Sequence, residues 1–357
     1  MIIDLGGGTA DISVHQKQTN NKLKELHQAS GGPWGGTVVD DNFLIWLTDI
    51  FGRQIMDTFK KKEMEDYFGL LREFEIKKRS MDPESNQVIT MRLPVSLTKL
   101  HEEIAHVTLD TKIDDKGLKE FVQLRNEKMR VHPSIVRTWF DVPIINLKSH
   151  VKDVLLKENM EKVEMIFLVG GFSESKYVQK SIKDAFPRKK VIIPDDAGLV
   201  MLKGAVCFGY TPNTISSRIM PFSYGLHTSQ EYDKVQHAGA TVKKLGGVKK
   251  AADLFDVIIH AGTRVEIGKT IRKGPYKPNN PVKTVLDIYR TKEENPKYIN
   301  DPGCIRVGRL NISHPGGKSL DDNTLSVDFT FGDAELVVTA ENIKKKKLYS
   351  TCIDYVG

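Results

Sequence analysis

The spacing of apolar residues divides the chain into two textures. Up to about residue 210, short apolar runs alternate with stripes of helical period; beyond it only period-two runs remain. Met1, Ile2 and Ile3, then three glycines, then an Ile12/Val14 alternation predict strand, turn and strand, and a further strand is predicted over 23–28. Asp40 or Asp41 is expected to cap a helix whose apolar face is Phe43, Leu47, Ile50 and Phe51. Helical spacing covers 59–80, alternation covers 88–97, and Leu147, Val151, Val154 and Leu155 mark a helix over 147–160. Residues 98–140 read only as short amphipathic pieces broken at Gly117 and Pro133. A buried-type strand at 163–169, a double glycine and a helix from Ser173 to Ala185 follow. A short strand at 191–193 leads to a helix expected to start at Pro194, Asp195 and Asp196.

After polar turn residues at 211–214, runs at 221–226, 256–260, 282–288, 305–312, 325–331 and 335–340 alternate between Gly, Pro, Asn and Asp clusters. They predict a β-sandwich-like domain with a hairpin turn at Gly332 and Asp333. A segment rich in lysine and glycine around 232–252 enlarges the region after its first strand. The expected organisation is therefore an α/β domain over 1–210, a linker over 211–220 and a β-rich domain over 221–357, with no helical lid.

Composition changes this picture little. A chain of 357 residues, 39% hydrophobic and 28% charged, is long enough for two cores. No stretch approaches the roughly 18 apolar residues of a membrane span, and the N-terminus lacks a secretory pattern, so a cytoplasmic protein is expected. The net charge of +7 comes partly from short basic runs at 60–62, 188–190 and 344–347, without interleaved aromatics. They read as solvated surface, and no nucleic-acid partner is expected. Cys207, Cys304 and Cys352 lie far apart without metal-ligand spacing, and His101 and His106 have no third ligand nearby.

The chemistry concentrates in the octet Asp4-Leu5-Gly6-Gly7-Gly8-Thr9-Ala10-Asp11. Successive glycine amides in a turn can form a concave anion site, and glycine admits positive φ and close ligand approach. Carboxylates beside such a site imply a divalent cation, or a water it orders, between two negative groups. Asp4 and Asp11 are thus candidate metal contacts through water, Asp4, Thr9 and Asp11 candidate catalytic residues, and a metal-bound nucleotide the expected ligand. A P-loop lysine and a dinucleotide fingerprint are both missing from this loop. Gly35 and Gly36, feeding a helix N-terminus, offer a second place for an anion.

The octet is similar to the second phosphate loop of the actin, sugar-kinase and 70-kDa heat-shock superfamily, and most like its heat-shock members. The order of later motifs strengthens the resemblance. Gly35 and Gly36 with the aspartates at 40 and 41 resemble the family's Gly-Gly-X-X-X-Asp segment, and Glu75, Lys78 and Arg79 its Glu-X-X-Lys-Arg helix, with Asp82 where the family has serine. Gly170 and Gly171 resemble its adenosine motif, with Phe172 and Glu174 replacing serine and arginine. Asp195 falls in a Pro-Asp-X-Ala segment, and the wording of 198–206 is most like the family's divergent 12A/12B branch.

The resemblance implies the second lobe of an actin-like ATPase fold followed by a peptide-binding β-domain, with ATP or ADP and Mg2+ as ligands. Gly6, Gly7, Gly8 and Thr9 would then face phosphate, Glu75, Lys78 and Arg79 the ribose, Gly170 and Gly171 the base, and Asp195 the pocket edge. It also implies a chaperone of the stress response with protein clients, and a first lobe, carrying a further phosphate loop and a lysine, ahead of Met1. On that expectation the chain is a shortened version in which ATP hydrolysis is weak or absent. The alternative is a non-enzymatic protein-interaction module, a pseudo-ATPase scaffold; a sugar kinase would leave the β-domain without a role.

Overall fold

In the computed structural model, which describes all residues except 20, 212–213, 246, 316–318, 333–334 and 355–357, the chain folds into two compact units. The first comprises Met1–Val14 and Ala29–Cys207, the second His15–Gln28 and Phe208–Gly357. Among the described residues, eight α-helices and several sheets make a mixed α/β protein, consistent with an actin-like ATPase fold.

The first unit grows from alternation. In β1 (Ile2–Leu5), Ile3 and Leu5 are fully buried while Asp4 turns the other way. The chain returns as β2 (Ala10–Lys17) and continues through β3 (Leu23–Gly32) into α1 (Gly36–Phe51). Next come α2 (Arg53–Lys62), α3 (Met64–Ser80), β4 (Ile89–Arg92), α4 (Val95–Ala105), α5 (Leu109–Asp115), β5 (Val122–Arg125), β6 (Lys128–Val131) and α6 (Pro133–Leu155). The unit closes with β7 (Met165–Val169), α7 (Lys176–Ala185), β8 (Lys190–Ile192) and most of α8 (Val200–Tyr210). β1 pairs antiparallel with β2 and parallel with β7, which pairs parallel with β8. The strands β4, β6 and β5 form a separate antiparallel sheet.

Several elements depart from the expected bounds for local reasons. α1 begins at Gly36 with Gly35 as its cap, so Asp40 and Asp41 lie inside the helix rather than before it. Its first amides are taken by the glycine loop and need no side-chain cap. The expected helix over 59–80 is two helices meeting at Glu63, and the expected strand over 88–97 stops at Arg92 because Pro94 caps α4. α6 starts at Pro133, fourteen residues before the apolar stripe; proline at a first helical position loses no hydrogen bond. After β7 the chain makes a 3-10 turn over Gly171–Glu174 before α7, and residues 195–199 are turns, so α8 starts only at Val200.

The core of this unit is aromatic. Phe43 and Phe74 stack with ring centroids 3.9 Å apart, and Trp139 meets both edge-on at 5.2 and 5.5 Å. The expected face of Phe43, Leu47, Ile50 and Phe51 is buried, as are Leu147, Val151 and Val154 of α6.

In the second unit, the stretch expected as a linker contains β9 (Ile215–Ile219), which pairs parallel with β3 through Leu23 and Lys24 and antiparallel with β13 (Arg264–Glu266). The Ile219 amide donates to the buried Glu25 carboxylate at 2.7 Å, fixing β9 in that ladder. Pro212 and Asn213 of the expected boundary lie outside the described residues.

The remaining strands are β10 (Ser223–Glu231), β11 (Val242–Leu245), β12 (Val248–Ile259), β14 (Thr270–Tyr276), β15 (Lys283–Thr291), β16 (Ile305–Ser313), β17 (Leu325–Phe331), β18 (Glu335–Asn342) and β19 (Leu348–Asp354). They form two antiparallel sheets, β11-β12-β10-β15-β16 and β14-β17-β18-β19. Tyr224, Leu226, Ile288 and Ile312 of one sheet and Val327, Phe329, Leu336 and Val338 of the other share one apolar cluster. β17 and β18 pair from Leu325↔Asn342 to Phe331↔Leu336; Asp333 of the expected turn lies outside the described residues. The lysine-rich segment contains β11 and part of β12, where Lys243 faces Lys250 and Lys244 faces Lys249. Lysines on an edge strand oppose pairing with further strands.

The contrast between two neighbours on α1 tests this account of the core. Phe43→Ala should lower the unfolding free energy of the first unit by about 3–5 kcal/mol, whereas Ile45→Ala, whose side chain is exposed, should change it by about 0.5 kcal/mol or less. Urea unfolding followed by circular dichroism measures both.

Candidate functional site: a glycine loop on a helix N-terminus

The turn between β1 and β2 is closed by the Gly6 amide donating to the Thr9 carbonyl at 3.0 Å. Four further bonds pin it from below. The amides of Gly35, Gly36 and Thr37 donate to the carbonyls of Gly8, Gly6 and Gly7 at 3.3, 3.1 and 2.8 Å, and the Thr37 hydroxyl donates to Gly7 O at 2.9 Å. A trans peptide points its N–H opposite to its C=O. With the carbonyls of 6, 7 and 8 turned to α1, the amides of Gly7, Gly8 and Thr9 turn outward, where these three residues are exposed. That is a concave row of donors suited to an anion.

The glycines serve closeness more than unusual backbone angles. Gly170 has positive φ, but Gly6, Gly7 and Gly8 are not among the positive-φ residues, which corrects one expected reason for the run. A Cβ on Gly35 would overlap the Gly7 carbonyl, so this glycine is what lets α1 reach the loop. A Cβ on Gly8 would meet nothing within 4 Å, leaving its outer side open. The α1 amides at Gly35 and Gly36 are already bonded to the loop; they hold the cradle rather than extend it.

Asp4 and Asp11 are direct partners across the β1–β2 ladder, and the Thr9 hydroxyl donates to Asp11 Oδ2 at 2.9 Å. Partial burial, and then the charge of Asp11, hold the Asp4 carboxyl above its usual range. Two facing carboxylates repel unless a cation lies near them. A hydrated divalent ion suits this pair together with the outward amides: the ion would neutralise both the carboxylates and a phosphate.

A second wall adjoins the loop. A Cβ on Gly170 would overlap the Asp4 carboxylate and the Leu5 carbonyl, so the turn after β7 lies against the end of β1. The Gly170 amide donates to Ala197 O at 2.8 Å, bringing the turn at 195–198 alongside. A Cβ on Gly171 would meet nothing within 4 Å, and one on Gly198 would lie 3.7 Å from Gly171 Cα and 3.0 Å from Glu174 Oε1. The result is a slot floored by glycine backbone. Asp195, in the same turn, is exposed.

From α3, the Lys78 ammonium is buried and donates to Asp40 Oδ1 at 2.7 Å, Glu75 Oε2 at 2.5 Å and Gly36 O at 3.2 Å. It ties α3 to the start of α1, and its three protons are committed within the protein. Arg79, half-exposed, bridges Glu75 at 2.8 Å and Glu174 at 2.8 Å. Burial would raise the Glu75 carboxyl, but bonds from Lys78 and Arg79 outweigh it and lower the pKa; at Asp40 burial wins over Lys78 and raises it.

Sequence reasoning thus brings Asp4, Gly6, Gly7, Gly8, Thr9, Asp11, Gly35, Gly36, Gly170 and Gly171 to one place, with Arg79 and Glu75 beside them. It missed Thr37 beneath the loop, Asp40 as the partner of Lys78, Gly198 as part of the slot, and Glu174 as the partner of Arg79. The i, i+4 spacing of Asp40 within an α1 starting at Gly36 could have flagged the second. Among the described residues no group of three or more His, Cys, Asp or Glu is placed to hold a metal by side chains alone. No described helix is long and apolar enough to cross a membrane.

Comparison with known proteins follows the same line. The chain is 31% identical over 365 residues to heat shock 70 kDa protein 12A of Mus musculus, and 28% identical over 371 residues to heat shock 70 kDa protein 12B of Homo sapiens. The chain resembles the heat shock 70 kDa protein 12 branch. Both alignments cover the whole chain and 54% of the relative, so the chain spans about half the length of the curated relatives it matches. Chaperone protein DnaK 3 of Synechococcus is 25% identical over 234 residues, 64% of the chain. No family model matches the chain.

The electrostatics of Asp4 give a testable sign. Its folded-state pKa is raised, so the stability it contributes as a neutral acid is present below the unfolded value and lost as pH rises through the folded one. Asp4→Asn should therefore stabilise the ligand-free chain at pH ~7 by about 0.5 kcal/mol, kept small by solvent screening, and by nothing below about pH 4. Thermal unfolding at both pH values measures the difference.

Proposed function

We propose that the chain is part of a nucleotide-binding, chaperone-like protein of the heat shock 70 kDa family, and that the glycine loop with Asp4 and Asp11 binds the phosphates of Mg2+-ATP or Mg2+-ADP. The observation that carries this reading is the outward row of amides at Gly7, Gly8 and Thr9, fixed by the bonds from α1 and flanked by two facing carboxylates. The similarity to the heat shock 70 kDa protein 12 and DnaK sequences supports it.

In this reading the loop amides bind phosphate oxygen, Asp4 and Asp11 hold the waters of the ion, and the glycine slot takes the nucleoside. Mg2+, when bound, would supply neutralisation of phosphate charge. Lys78 acts as a positioning residue that fixes α1 under the loop, and Arg79 with Glu75 lines the nucleoside side. The described residues supply one wall of such a site, and an enclosed phosphoryl-transfer centre needs donors on both sides. Turnover by this chain alone is accordingly slow or undetectable. The two sheets of the second unit, sharing one apolar core, are read as a β-sandwich-like domain that binds protein clients.

A non-enzymatic interaction module is the second reading, and α8 favours it: Met201, Leu202, Val206 and Tyr210 are all exposed, more apolar surface than an isolated helix needs to show water. Titration calorimetry with Mg2+-ATP separates the two. The first reading expects binding that disappears without Mg2+ and in Asp4→Ala, while Asp4→Asn, more stable without ligand, also loses it. Peptide binding with no nucleotide binding would leave only the second.

A further inference from the structure

One edge of the second unit carries charge that the fold does not compensate. β11 ends the five-stranded sheet, where its neighbour is β12. In that ladder Lys243 faces Lys250 and Lys244 faces Lys249. Like charges directly opposite one another destabilise a sheet, and no ion pair between described residues relieves Lys243, Lys244 or Lys249. Lys250 donates to the neutral Asn279 Oδ1 at 2.9 Å, and the described carboxylate in register with it is Glu231 of β10.

The backbone of the same strand is open. The Ala252 amide donates to Thr241 O at 2.9 Å, so Thr241 and Ala252 are a hydrogen-bonded pair, and such pairs alternate along an antiparallel ladder. Lys243 and Lys250 form the next one, which leaves Val242 and Lys244 with N–H and C=O turned away from β12. Lys249 agrees, since its carbonyl takes the Tyr232 amide at 3.0 Å on the β10 side. Val242 and Lys244 are both exposed. An edge of free donors and acceptors can take an extended chain as a further strand.

The lysines decide which chain. A second copy of β11 would bring lysine towards lysine. On an added strand, one residue would lie opposite Lys243 on the face that holds Lys250, and the next opposite Lys244 on the face that holds Lys249. Carboxylates at two adjacent positions complement both faces.

We propose that the free edge of β11 binds an extended acidic peptide by strand addition, with adjacent carboxylates set against the two lysine pairs. This rests on the reading of the second unit as one that binds protein, and not on the nucleotide reading of the glycine loop.

Fluorescence anisotropy of the whole chain with the labelled, end-blocked peptide Thr-Val-Glu-Glu-Val-Thr, its Gln-Gln and Lys-Lys counterparts, and an uncharged leucine-rich peptide tests it. Val242→Pro removes one outward N–H and keeps every lysine, and an edge strand tolerates proline where the N–H faces solvent. Lys243→Glu with Lys244→Glu reverses the charge of β11 and gives both facing pairs opposite charges, which favours the ladder. The Glu-Glu peptide should bind between about twofold and thirtyfold more tightly than the Gln-Gln peptide, the discrimination of two cross-strand charge pairs. Val242→Pro should abolish its binding, and the double variant should prefer the Lys-Lys peptide. Equal binding of the Glu-Glu and Gln-Gln peptides, a preference that survives charge reversal, or binding that Val242→Pro leaves unchanged overturns the proposal. So does binding of a single-stranded oligonucleotide without the Glu-Glu peptide, which makes the edge a polyanion surface. Binding of the leucine-rich peptide alone overturns it while the client reading stands, and failure of every peptide overturns both.

Discussion

Three amide-to-carbonyl hydrogen bonds, from Gly35, Gly36 and Thr37 to Gly8, Gly6 and Gly7, set the orientation of the site. They satisfy the free amides that every helix N-terminus leaves, and they do so with the loop rather than with a side chain or solvent. Because a peptide plane cannot turn its two ends independently, satisfying α1 on one side obliges the loop to show its donors on the other. The helix thus donates no amide to a ligand directly, yet it decides where the loop amides point. Everything that holds α1 in place, from the Phe43–Phe74 stack to the Lys78 ammonium on Gly36 O and Asp40, supports that geometry.

Lys78 shows how the support is arranged electrically. A buried ammonium is costly unless paired, and here Asp40 and Glu75 take it from two different helices. Glu75 is shared with Arg79, which also pairs with Glu174. A chain of charge-assisted bonds therefore runs from the start of α1, through α3, to the rim of the slot. Moving any one member would alter the position of the next, so the loop and the slot are positioned by one network rather than two.

Much of this was legible in the sequence, and the reasons are local. Three glycines between two period-two runs announce a turn, and the burial of Ile3, Leu5, Ile12 and Val14 needs nothing beyond the alternation of a strand. The apolar face of α1 was readable for the same reason. Its start was not: Asp40 and Asp41 looked like caps because the residues that satisfy the first turn, Gly6 to Gly8, lie some thirty positions away. Residues 98–140 resisted reading because α4 and α5 are short and β5 and β6 contribute four residues each, too few for a period to declare itself. The ladder of β9 was hidden too, since its register depends on Leu23 and Glu25, far back in the chain.

The charge balance of the site decides what form of ligand it can accept. Asp4, Asp11, Asp40, Glu75 and Glu174 outnumber Lys78 and Arg79, and both cations are already bound to carboxylates. Asp4 and Asp11 face each other across the ladder that leads into the loop, and burial, then the charge of Asp11, raises the Asp4 pKa, so this corner already disfavours further negative charge. Backbone dipoles alone are a weak answer to several more negative charges. A bare polyphosphate is therefore repelled by the carboxylates that flank its cradle, whereas one carrying a divalent cation brings the positive charge they lack. In the proposed reading, metal dependence would be a property of the octet itself: its amides would take an anion, and its aspartates would admit that anion only in company with a cation.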